Sequence, residues 1–86
     1  MIITAAVIKE QGITFAIVAV KPHIIRYTYA AIQARHNFTA LFPNMPIILM
    51  AQNAHGEPRY VGRKDIVNWL KTIRIDQIPW KQFNLY

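Results

Sequence analysis

Cysteine and serine are both absent from these 86 residues, and only four carboxylate side chains stand against ten Lys and Arg. Without Cys there is no disulfide, thiolate metal site or Cys nucleophile. Without Ser the commonest hydroxyl nucleophile is gone too. The three glycines, Gly12, Gly56 and Gly62, are isolated from one another, so no glycine-rich phosphate loop can form. Long hydrophobic runs are missing as well. The stretches Ile2 to Ile8 and Ile13 to Val20 are interrupted by charge and Gly, each well short of the roughly 18 residues that a bilayer requires. The beginning of the chain has neither a basic n-region nor a small-residue cleavage site before Lys9 and Glu10, so a cytoplasmic protein with no membrane span is expected.

What is present is apolar and basic: 53% of residues are hydrophobic, and the formal charge is +6 with a sequence pI near 10.1. An apolar share of this size offsets the entropy of ordering and argues against disorder. The length suits one domain over residues 1–86.

Ile2 to Ile8 and Ile13 to Val20 are rich in β-branched residues and flank Lys9-Glu10-Gln11-Gly12, which predicts a β-hairpin. Neither face of the second strand is polar, so both need cover. After Pro22 the period changes to three and four: Ile24, Tyr27, Ala31, Ala34, Phe38 and Leu41 predict the buried stripe of one amphipathic helix. Arg26, Gln33, His36 and Asn37 fall on its opposite, solvated side. Ile47 to Ala51 reads as an interior strand. Asn53-Ala54-His55-Gly56 reads as a hairpin loop, and Arg59-Tyr60-Val61 as an edge strand entered through Pro58. Ile66, Val67, Leu70 and Ile73 then predict a second helix from about Lys64 to about Ile73, with Trp69 at its margin.

The expected fold is therefore α+β, in the order β-β-α-β-β-α, with a mainly antiparallel four-stranded sheet. An aromatic C-terminal tail over 75–86 is expected to dock on the core or on a twin subunit. Met45-Pro46-Ile47-Ile48-Leu49-Met50, with the hairpin, Gly62 and the following helix, resembles the C-terminal half of a thioredoxin-like domain. There a Pro precedes a strand, a hairpin follows, and a Gly leads into the last helix. The N-terminal half departs from that family: a hairpin stands where a βαβ unit belongs, and the Cys pair that carries the redox chemistry is missing. No function is carried over.

Candidates for chemistry are few. His23, His36 and His55 lie on different elements and form no metal-ligand spacing. Glu10, Glu57, Asp65 and Asp76 fall in turns or at helix ends, where solubility or capping accounts for them. A His-centred site at His55 and Glu57 has neither nucleophile nor metal cluster behind it. The sequon Asn37-Phe38-Thr39 carries its Phe on a buried stripe. No catalytic residue, metal or cofactor is expected.

Two surfaces remain. Arg59, Arg63 and Lys64 gather about Tyr60 at the start of the second helix, where an anion would relieve the cations and Tyr60 could stack on a base. The plainer reading of that cluster is a solvated basic edge that discourages aggregation, with Asp65 meeting the helix dipole. The other surface is apolar. If both helices cover one sheet face, the opposite face exposes side chains such as Val18, Ile48 and Met50, and a symmetric homodimer would cover them; if the helices flank opposite faces, a monomer suffices and the aromatic tail is the leading contact candidate. Trp80, Phe83 and Tyr86 are the further candidates for partner or dimer contact. The leading expectation is a non-enzymatic binding module, a homodimer with a possible protein partner. The alternative is a nucleic-acid or polyanion binder using Arg59, Tyr60, Arg63 and Lys64.

Overall fold

The computed structural model describes residues 2–84. Strands β1 (Ile2–Glu10) and β2 (Ile13–Ala19) form the expected hairpin. Its turn is only two residues long, with Gln11 at φ 52° and Gly12 at φ 78°, the left-handed pair that matches the twist of a tight hairpin. From β2 the chain passes through α1 (Pro22–Arg26) and α2 (Thr28–Phe38) to β3 (Ile47–Gln52), which runs parallel to β2. A hairpin then leads to β4 (Pro58–Val61), antiparallel to β3, and on to α3 (Lys64–Leu70). A 3-10 turn over Ile75–Gln77 precedes β5 (Lys81–Asn84).

The sheet order is β4-β3-β2-β1-β5. Two features correct the sequence expectation: the sheet has five strands instead of four, and it is mixed. The parallel β2–β3 pair follows from the helical connection, because a crossover of this length lets the chain re-enter the sheet in the same direction. The fifth strand comes from the aromatic tail. Lys81–Asn84 has no β-branched residue and only four positions, and it becomes a strand by pairing with Ile2–Ala5 of β1. That pairing covers half of what would otherwise be a nine-residue apolar edge.

The helical connection is not one helix. Tyr27 adopts an extended backbone (φ −117°, ψ 130°) and separates α1 from α2. Tyr27 is consequently exposed, not part of the buried stripe, which in α2 is carried by Ala31 and Phe38. At the other end α3 stops at Leu70, a turn earlier than the periodicity predicts. The hydroxyl and amide of Thr72 both donate to the Trp69 carbonyl, at 2.6 Å and 2.9 Å, and close the last turn.

The helices lie on opposite faces of the sheet. On one face Ala5, Ala16, Val18, Ile47 and Leu49 pack with Ala31 and Phe38 of α2. On the other Ala6, Phe15, Ile17, Ile48 and Met50 pack with Ile66 and Leu70 of α3. Among the described residues neither sheet face is left naked, so of the two arrangements the sequence allows, the one with helices on opposite faces is found. Val18 and Ile48 are fully buried, on different faces, because in the parallel register Val18 stands beside Leu49 and Ile17 beside Ile48. Cover on both sides also explains why β2 and β3 read as continuous apolar runs. Among the described residues no helix is long and apolar enough to cross a membrane.

Gly62 links β4 to α3 where the chain passes directly over β3. A Cβ there would lie 2.5 Å from Ile48 Cδ1, 3.2 Å from the Ile47 carbonyl oxygen and 3.3 Å from Ile48 Cα. Only glycine fits that approach.

Candidate functional site

The edge strand β4 divides the basic cluster that the sequence places together. Leu49 stands opposite Val61 and Ala51 opposite Arg59, so Arg59 and Val61 share the α1–α2 face, whereas Tyr60 points to the α3 face opposite Met50. Tyr60 is 9% exposed and packs with Ile66, Leu70 and Ile78. Its ring is part of the core and offers no face to a base, which removes the stacking role expected of it. Its hydroxyl is buried and has no hydrogen-bond partner among the described residues, and burial raises its pKa from the usual 10.0.

Arg63 precedes α3 and pairs with Asp65 at 2.9 Å, both side chains about half exposed. A pair so open to water contributes at most about 1 kcal/mol. Lys64 opens α3, a helix of seven residues, and stands exposed. The four residues expected to act as one anion site are thus dispersed: Tyr60 inward, Lys64 on the helix, Arg59 and Arg63 at opposite ends of β4.

Each of those two arginines meets another from the helical layer. Arg59 lines a cleft with Arg26 at the end of α1, together with Pro22, Ile25 and Gln52, beside the carboxyl end of the parallel β2–β3 pair. Arg63 lines a larger cleft of about 500 Å³ with Arg35 and His36 of α2, over an apolar wall that includes Ile32, Met45 and Ile47. Four of the five arginines in the chain thus line these two clefts, and no lysine does. Among the described residues no acidic side chain lines either one. Asp65, outside the lining, pairs with Arg63 and so partly offsets one of the four, whereas Glu57 accepts from Asn53 Nδ2 at 3.1 Å. The fifth arginine, Arg74, is held by Asp76 at 3.1 Å.

Both clefts open on the α1–α2 face, one at each end of β4. On α2 Tyr29 is 79% exposed and Ile32, at the larger cleft, 54% exposed. A turn of about 100° per residue puts Tyr29, Ile32 and His36 on one flank of α2, and the last two line the larger cleft. Sequence reasoning assigned Arg26 and His36 to a solvated helix side and did not single out Arg35. Their convergence with β4 arises from the crossover and leaves no local spacing signal.

The aromatic residues at the C-terminus are used within the chain. Trp80 packs on the α3-side core and donates from Nε1 to the Ile75 carbonyl at 3.1 Å. Phe83 packs on the opposite core and meets Phe42 edge to face, with ring centroids 5.2 Å apart. Tyr86 lies outside the described residues. His55 and Glu57 are exposed at the β3–β4 turn, where the Asn53 side chain accepts from both of their backbone amides at 2.9 Å. Among the described residues no group of three or more His, Asp or Glu is placed to hold a metal ion.

Comparison with known proteins finds no family, curated protein or solved structure that matches this chain.

Proposed function

We propose that this chain is a non-enzymatic binding module whose working surface is the α1–α2 face beside β4 and whose partner is a polyanion. The observation that carries the reading is the gathering of Arg26, Arg35, Arg59 and Arg63 into two clefts on that face without an acidic lining residue. Arginine, not lysine, occupies these positions, and its planar fork suits bidentate contact with phosphate, sulfate or carboxylate oxygens. The formal charge of +6 adds a long-range attraction for such a partner. The proposed working unit is a single chain, since its own helices cover both sheet faces and its terminal aromatics Trp80 and Phe83 pack internally.

The test compares two double variants of equal charge, Arg35→Ala/Arg63→Ala and Lys71→Ala/Lys81→Ala, for binding a labelled heparin fragment across a salt series. Loss of two contacts lowers the magnitude of the salt slope by about two. The arginine pair is expected to show that loss and the lysine pair to retain the parent slope. Equal losses in the two variants would mean that net charge alone attracts the ligand and would defeat the assignment to this face.

A further inference from the structure

We infer that the polyanion is a single-stranded nucleic acid, with Tyr29 as its base-stacking platform; this deepens the proposal above and rests on it. Three features of the face lead there. Arg26, Arg59 and Arg63 are exposed and Arg35 is half-buried, so all four guanidinium groups are open to the phosphates of a strand laid along the face. Tyr29 is 79% exposed on the flank of α2 that borders the larger cleft, with Ile32 one turn along at 54%. An exposed ring next to a cationic groove is the combination by which proteins hold unpaired bases: the groove follows the phosphates, and each base presents a π-face to stack on. Duplex bases are already stacked and paired, so the same ring gains little from them.

The two clefts are also spaced for a strand. Arg59 and Arg63 are four residues apart, which along an extended chain amounts to about 13 Å. An extended single strand spaces its phosphates about twice as widely as the roughly 3.4 Å of a stacked duplex strand, so this distance spans about two nucleotides. Four arginine–phosphate contacts to a single strand correspond to a log–log salt slope of about −3, from about −0.7 per contact. An extended acidic peptide would satisfy the arginines as well, but it has no general use for the ring. Tyr29 therefore separates the two ligands.

The experiment measures fluorescence anisotropy with a labelled oligothymidylate of about fifteen residues, a duplex of the same length, heparin and polyglutamate, from about 50 to about 200 mM salt. The parent protein is expected to bind the single strand more tightly than the duplex, with a slope near −3. Tyr29→Ala is expected to weaken oligothymidylate binding about tenfold and to leave heparin binding unchanged, while Tyr29→Phe retains full affinity because stacking needs the ring and not the hydroxyl. Equal or tighter binding of the duplex, or oligothymidylate affinity indifferent to Tyr29→Ala, would overturn the inference. Binding of heparin or polyglutamate without oligothymidylate would overturn it and leave the polyanion reading standing. Binding to none of the four probes at the lowest salt would overturn both. Tyr29 is largely exposed, so Tyr29→Ala is expected to preserve the fold, and unchanged thermal unfolding confirms that an affinity loss belongs to the site.

Discussion

Tyr60→Phe removes a single oxygen, and the structure assigns that oxygen a cost. Tyr60 is 9% exposed in the α3-side core, and its hydroxyl is buried with no hydrogen-bond partner among the described residues. Leaving a buried donor unsatisfied costs about 1–3 kcal/mol. Deleting the oxygen loses only a few dispersion contacts of about 0.1–0.2 kcal/mol each. The net expectation is a gain of about 1 kcal/mol, which in a domain of this size raises the melting temperature by about 4–8 °C. The alkaline limb gives an independent check. Burial raises the phenol's pKa above 10.0, so as pH climbs past that value the unfolded chain releases its proton while the folded chain still holds it. Stability is then lost with rising pH from about 10 up to the folded-state pKa, and is unaffected by this group below that window. Tyr60→Phe abolishes that share of the alkaline loss. Urea unfolding at neutral pH and again above pH 10 measures both effects. Destabilisation by about 1 kcal/mol or more at neutral pH would show that the hydroxyl is satisfied and would refute the reasoning. Because the ring is internal, the same variant is expected to bind heparin as the parent does.

Two further perturbations examine how the fold positions the face. Gly62→Ala forces a Cβ to within 2.5 Å of Ile48 Cδ1 and is expected to cost about 1–3 kcal/mol by overpacking. Adding Ile48→Val, which deletes that methyl, should recover part of the loss in urea unfolding; no recovery would locate the clash at the β3 backbone instead. Phe83→Ala removes the ring that meets Phe42 and holds β5 against β1. Phe83 is half-buried, so a cost of about 2 kcal/mol is expected, below the 3–5 kcal/mol range of a fully buried Phe. Hydrogen exchange should show faster amide turnover along Ile2–Ala5, and unchanged exchange there would mean that β5 is held by its backbone bonds alone.

Local physics makes much of the fold legible in the sequence. The β-branched runs at Ile2 to Ile8 and Ile13 to Val20 around a Gly that tolerates positive φ point to a hairpin, because propensity and turn chemistry act over a few residues. The unbroken apolar run at Ile47 marked a strand buried on both sides, and Pro58 marked an edge. Where the reading departed, a distant partner had decided. Lys81–Asn84 has little intrinsic strand preference and became β5 because β1 offered it an unpaired edge. Tyr27 lies on the helical stripe by spacing, yet it breaks the helix and stands exposed.

The candidate site was half visible. Composition alone determined that the chain is basic, lacks the commonest nucleophiles and has no cysteine chemistry, and Arg59 and Arg63 could be seen as notable on one short segment. Which cations belong together was decided by tertiary structure. Strand alternation turned Tyr60 inward and Arg59 outward, and Arg63 ended at the far side of β4. The parallel crossover then carried Arg26 of α1 and Arg35 of α2, some thirty residues earlier, to the same face. The physical reason is range: backbone propensity and side-chain periodicity are properties of neighbours in sequence, whereas a binding face is made by side chains that only the packing of layers brings side by side.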